Sequence, residues 1–140
     1  MKLVVHELYS GIISQEVTTT RNTLVEAIRP HLYVHGVVAG SLILKITDAN
    51  GELIATSTSV TISSISASNY FHGYVRFYIN AYLRKDVNYI ISLYSSGYTF
   101  SESGYVGWCN GYDLAKYSSD FTPSNSNFAA LDYEIWARNP

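Results

Sequence analysis

The stretch NYFHGYVRFYINAYLRKDVNYIISLYSSGYTFSESGYVGWCNG, Asn69 to Gly111, decides the fold. Val75, Phe77 and Ile79, then Tyr89, Ile91 and Leu93, recur at every second position, which is the apolar face of half-buried β-strands. The alternate positions, Tyr74, Arg76 and Tyr78, then Ile90, Ser92 and Tyr94, are mixed, so one side reads as core and the other as outward-facing. Gly73, following His72, marks a bulge or a close backbone approach. Further on, Gly97, Gly104, Gly107 and Gly111 punctuate a region in which Tyr98, Phe100, Tyr105, Trp108 and Tyr112 recur, and one short strand is expected from about Tyr105 to Cys109.

The flanking sequence extends the same pattern. Leu32, Val34, Gly36 and Val38 alternate with Tyr33, His35 and Val37, and Leu42, Leu44 and Ile46 follow the Ala39-Gly40 turn, which together read as two antiparallel strands. Asp48-Ala49-Asn50-Gly51 is a hairpin turn, because Asn-Gly tolerates the positive φ that a tight turn demands. Glu52 to Ile62 is rich in Ser and Thr and reads as a sheet edge. After Asn80, Leu83 is expected to point inward while Arg84, Lys85 and Asp86 stay in water, and residues 88–95 then form a hairpin partner. Toward the N-terminus, Lys2 to Tyr9 reads as a first strand and Gly11 to Thr20 as an edge strand or extended arm. Thr23 and Glu26 have capping-box spacing, so a helical turn over Leu24, Ala27 and Ile28, stopped by Pro30, or irregular structure is expected there. Residues 113–128, DLAKYSSDFTPSNSNF, form a long polar loop of the kind that carries function or is held by a partner. Leu131, Tyr133 and Ile135 alternate with Asp132, Glu134 and Trp136 in a final strand expected to pair near the first. About eight short strands with hairpin turns imply an all-β protein, an antiparallel β-sandwich of jelly-roll type, as one domain over residues 1–140, with 1–30 as an N-terminal strand or arm.

Composition excludes several classes of function. Charged residues are 14% of the 140-residue chain, while Ser, Thr, Asn and 13 Tyr fill the polar positions, so the surface is neutral, hydroxyl-rich and aromatic. Nine Lys plus Arg against eleven Asp plus Glu, without runs, leave no electrostatic footprint for nucleic acid. No run approaches the ~18 apolar residues of a membrane span, and MKLVVHELYSGIISQ lacks the apolar centre of a secretory leader. The expectation is synthesis in a cytoplasm, with release by lysis.

Candidate sites are few. The single cysteine, Cys109, excludes an internal disulfide and reads as a buried packing thiol beside Trp108. Of the histidines His6, His31, His35 and His72, the pair His31 and His35 would share a face on a helix, but on a strand lies about 13 Å apart, too far for one ion. No metal site and no cofactor are expected, and His72 draws interest only through its place beside Gly73. Asp132 and Glu134, and the loop residues Asp113 and Asp120, read as solvated surface or loop caps rather than a glycosidase pair. Asp48 and Asn50 are explained by the β-turn without calcium. With no phosphate loop and no nucleophile elbow, no catalytic residue is assigned and the chain reads as a non-enzyme. The rings Tyr98, Tyr105, Trp108, Tyr112 and Tyr117 are three-way candidates, for core packing, a carbohydrate platform, or a protein interface where Tyr and Trp are enriched.

The strings NYFHGYVRFYIN, SLYSSGYTFSESGYVGWCNGYDLAKY and LDYEIW resemble structural proteins of tailed-bacteriophage virions, over about Arg29 to Trp136. The resemblance brings no catalytic residues. It implies a virion-located particle component, a capsid decoration (cement) protein or a piece of a head or tail fibre, whose partner is the major capsid protein or another virion protein. It further implies a homo-oligomer, a trimer by preference, gripping neighbours through residues 1–30 and 113–128. A carbohydrate-binding or receptor-binding module is the alternative, and it requires an exposed Trp108 or Tyr112.

Overall fold

The computed structural model describes residues 5–8, 12–65, 70–109 and 131–138. It is an antiparallel all-β sandwich of two packed sheets with almost no helix. In chain order the elements are β1 (Val5–Glu7), β2 (Ile12–Thr18), β3 (Thr23–His35), β4 (Ser41–Asp48), β5 (Leu53–Thr56), β6 (Val60–Thr61), α1 (Ile62–Ile65), β7 (Tyr70–Tyr74), β8 (Phe77–Leu83), β9 (Asn88–Ser96), β10 (Tyr105–Cys109) and β11 (Tyr133–Arg138).

The six-stranded sheet is built on β3. Its second half pairs with β7 and β10, its first half with β8 and β11, and β1 pairs with β10. The partners change over at Pro30, which has no N–H to give to a ladder. Both flanks are interrupted at that level, with Val75 and Arg76 between β7 and β8, and the chain leaving β10 at Cys109 and rejoining at Leu131. Backbone bonds bridge the change: Val75 N–H donates to Pro30 O at 3.1 Å, His31 N–H to Asp132 O at 2.9 Å, and Asp132 N–H to Cys109 O at 2.8 Å. The five-stranded sheet runs β2-β9-β4-β5, with β6 also on β4.

The apolar alternation read in the sequence is the core. Phe77 and Ile79 from β8 meet Tyr89, Ile91 and Leu93 from β9 and Leu42, Leu44 and Ile46 from β4, joined by Val25, Ile28, Leu32, Val34, Val106 and Trp108. Each such aliphatic or aromatic side chain contributes about 1.5–3 kcal/mol on burial.

Several expectations are corrected. The stretch 23–30 is strand, not a helical turn. Leu24, Ala27 and Ile28, at helical spacing, pair instead with Tyr82, Tyr78 and Phe77 of β8 across a register shift between Val25 and Ala27, and Thr23 Oγ1 donates to Arg21 O. The strands ending at His35 and beginning at Ser41 are not a hairpin but lie in different sheets, and so do β8 and β9. The link between β8 and β9 is fixed by Lys85 N–H donating to Asn22 Oδ1, Asp86 N–H donating to Thr19 O, and a positive φ at Asp86. The expected strand 52–62 divides into β5, β6 and α1, although β5 does end the sheet. The final strand β11 pairs with β3, in the same sheet as β1 but not beside it. Segment 1–30 contributes β1, β2 and the first half of β3. Residues 113–128 lie outside the described residues.

Candidate functional site

The side chains that carry chemistry gather on the outer face of the six-stranded sheet. Since Leu32 and Val34 of β3 face the core, Arg29, His31, Tyr33 and His35 face outward. Antiparallel register aligns His31 with Tyr74, Tyr33 with His72 and His35 with Tyr70 on β7, and places Tyr105 and Cys109 of β10 on the same face. On the β11 side Glu134 aligns with Arg29.

At the centre lies a buried polar cluster. His31 and Asp132 are only 5% and 4% exposed, and Cys109 is fully buried. His31 Nδ1 is 2.9 Å from Asp132 Oδ2, and the Tyr74 hydroxyl donates to the same oxygen at 2.5 Å. His31 Nε2 faces His72 Nε2 at 2.8 Å, the two rings 4.5 Å apart and tilted by 30°. With Nδ1–H of His31 donating to the carboxylate, its Nε2 carries a lone pair, so the His72 Nε2–H supplies the proton of that contact. Burial, and then the positive charge His31 can carry, lower the His72 pKa. Burial, and then the hydrogen bond to Asp132, push the Tyr74 hydroxyl well above its usual range. Burial, and then the Asp132 charge, push the Cys109 thiol up to about 12. As a free nucleophile Cys109 is therefore inert near neutrality.

Sequence reasoning missed this cluster for an identifiable reason. It tested His31 against His35 along one strand, whereas the partner of His31 is His72, a diagonal neighbour across β3 and β7 that only long-range register can reveal. Asp132, expected on the solvated surface, is buried and bonded, which is a correction. Cys109 is buried beside Trp108 as expected, but its sulfur also faces both histidines: one ligand atom from each of His31, His72 and Cys109 lies within 4.8 Å of the others. His6 lies on β1, level with Trp108.

The aromatic candidates separate. Trp108 is 0% exposed, its indole N–H donating to Asp132 O at 2.8 Å, so it is core and cannot stack on a sugar. The Tyr98 hydroxyl donates to Leu8 O at 3.0 Å and accepts from Val106 N–H at 3.1 Å, a structural strap. Tyr105 is half-buried in a ring cluster with Tyr33, His35 and Phe100, at centroid distances of 5.9, 5.2 and 5.4 Å. Tyr112 and Tyr117 lie outside the described residues.

Beyond the buried cluster the face becomes exposed and aromatic. Arg29 forms a 2.8 Å ion pair with Glu134, and its guanidinium lies 5.1 Å from the ring centre of Trp136, over which Arg76 sits at 4.0 Å. Tyr70, Tyr78, Tyr82 and Trp136 are exposed, and no strand of this sheet carries a lysine.

No protein-family model, no curated protein and no solved structure matches the chain. The fold and the site define a two-sheet antiparallel β-sandwich with a chemically rich outer face on one sheet.

Proposed function

We propose that the chain is a non-enzymatic structural component of a virus particle, a capsid decoration protein that docks onto a neighbouring protein subunit through the outer face of the six-stranded sheet. The observation that carries the docking reading is the exposed set Tyr70, Tyr78, Tyr82 and Trp136 with Arg76 among them and no lysine on the strands of that sheet. Protein interfaces enrich these residue types and deplete lysine. The virion assignment draws its support from the sequence resemblance and the neutral, hydroxyl-rich composition. A protein partner is favoured over a glycan because two guanidinium groups already lie over Trp136, while Trp108 is enclosed in the core. Arg76 also donates to the Tyr78 hydroxyl at 3.1 Å, leaving further N–H groups for a carboxylate of the partner.

Light scattering on the purified chain, alone and mixed with capsids stripped of it, tests the proposal. Saturable binding that raises the capsid melting temperature is expected, from a trimer in solution. Arg76→Glu combined with Tyr78→Ala should abolish that binding while leaving the fold intact. A chain indifferent to capsids, or a double variant that binds undiminished, overturns it.

A further inference from the structure

We infer that His31, His72 and Cys109 form a binding site for a zinc-class divalent metal ion, with Asp132 as the residue that orients His31. The inference stands on the buried cluster alone and does not depend on the docking reading.

Three features carry it. First, the donor set is right: two imidazole nitrogens and one sulfur suit a borderline-soft ion such as Zn2+ and do not suit Ca2+ or Mg2+, which take oxygen ligands. Second, the donors converge. They come from three adjacent strands, β3, β7 and β10, and register alone brings them to one face: Tyr74 and Tyr33 of the His31–Tyr74 and Tyr33–His72 pairs fix the diagonal approach of His72, and the Trp108–Leu32 pair puts Cys109 level with His31. Their ligand atoms lie within 4.8 Å of one another. Tetrahedral bonds of about 2.0–2.3 Å put such atoms about 3.3–3.6 Å apart. Half-buried His72 can supply the adjustment of roughly an ångström by a side-chain rotation, its ring proton passing to the nitrogen that does not ligate.

Third, the surroundings of His31 are those of a metal-ligating histidine. Its Nδ1 is held at 2.9 Å by the Asp132 carboxylate, which fixes the tautomer with the Nε2 lone pair aimed at His72. Asp132 is itself fixed by the Tyr74 hydroxyl and by backbone bonds to His31 and Cys109. The Cys109 thiol loses its proton on coordination, since the thiolate is the ligand. Three protein ligands leave the fourth tetrahedral position to water or to an incoming ligand.

The test uses the full reduced chain, freed of metal with a chelator and titrated with Co2+ as a spectroscopic stand-in for Zn2+. One-to-one binding with an intense near-ultraviolet thiolate-to-cobalt band is expected, displaced by one equivalent of Zn2+. Zn2+ should also raise the melting temperature. Cys109→Ser should remove the band. Because that substitution lies in a fully buried position and can compromise folding, His72→Gln is the second variant, its fold checked by circular dichroism, with affinity expected to fall more than about tenfold. Asp132→Asn should weaken binding about 10–100-fold. His35→Gln, remote from the cluster, should change nothing. The inference is overturned if no thiolate band appears, if His72→Gln binds as the parent does, or if His35→Gln abolishes binding, which would assign it to surface imidazoles. Thermal stabilisation by Mg2+ or Ca2+ in place of Zn2+ overturns it equally.

Discussion

The two outer faces of the sandwich are built on the same backbone period and share cation–ring contacts, yet differ in where their buried ionisable groups lie. The five-stranded sheet turns outward Ser14, Glu16 and Thr18 of β2, Ser92 and Tyr94 of β9 and Lys45 of β4, together with the aliphatic Ile12, Ile43 and Ile90. Its contacts are short-reach and generic: Ser14 to Ser92 at 2.8 Å, Thr18 to Asn88 at 2.5 Å, and the Lys45 ammonium 4.7 Å from the ring centre of Tyr94. All four histidines of the chain, and its cysteine, sit instead on strands of the six-stranded sheet. There an acid, two imidazoles and a thiol are withdrawn from water on the side away from the core. A sheet needs one apolar face to fold, and hydroxyls satisfied by water or by each other suffice for the other. Burying ionisable groups on the outer side costs desolvation that the fold does not require. That expense falls on one face and is absent from the other.

The comparison breaks first at Asp132. Replacing it with Ala leaves His31 and Tyr74 without their common acceptor, at about 1–3 kcal/mol for the buried His31 and less for the half-buried Tyr74. A loss of about 3 kcal/mol or more in unfolding free energy is expected from denaturant melts, against a shift within about 0.5 kcal/mol for Glu16→Ala on the other face. Equal effects at the two sites would mean that the buried cluster is incidental.

Much of this contrast was hidden in the sequence for physical reasons. The alternation of Phe77 and Ile79, and of Tyr89, Ile91 and Leu93, made the sandwich and its core legible, because period-two burial is a local property. Which sheet each strand joins is not local. The links 36–40 and 84–87 cross between sheets while looking like hairpin turns, and Leu24, Ala27 and Ile28 keep a helical spacing in a strand whose register shifts between Val25 and Ala27. The candidate site was least legible of all: His31, His72, Cys109 and Asp132 span a hundred positions, and nothing in the neighbourhood of any one of them announces the others. Pro30 was the only local hint. A proline at this spacing stops a helix, whereas in the strand it is the level at which both flanking ladders break and the cluster assembles.

Cys109 sharpens the comparison chemically. A fully buried thiol raised to about 12 should resist iodoacetamide at pH 8 in the folded chain and react as an ordinary cysteine once the chain is unfolded in urea. Rapid alkylation in the folded state would show that the outer face opens readily around the cluster.

Acid should separate the faces as well. The folded His72 pKa lies below its usual 6.5, so the unfolded chain takes up protons first as pH falls. Stability is therefore full above about pH 6.5 and declines as pH drops from there through the lowered pKa. His72→Asn should flatten that part of the curve of melting temperature against pH. A decline that persists in the variant would place its origin elsewhere on the molecule.

The smallest expected effect lies on the plain face, and it decides how the contrast is to be understood. Ser14 and Ser92 share one hydroxyl–hydroxyl bond at 2.8 Å, and Ser92 is buried beneath its neighbours. Removing the Ser14 hydroxyl takes from the buried Ser92 its 2.8 Å partner, for a loss of about 1 kcal/mol, while Ser14→Ala with Ser92→Ala removes both groups of that bond and should be close to neutral. A double-mutant cycle in urea measures the difference. A coupling of about 1 kcal/mol with a near-neutral double variant would show that this hydroxyl pair can be replaced by apolar atoms. The same operation on the other face, replacing His31 and Asp132 together by apolar residues of similar volume, then becomes the informative counterpart: stability regained there alongside metal or partner binding lost would show that the fold tolerates the cluster for its chemistry rather than depending on it.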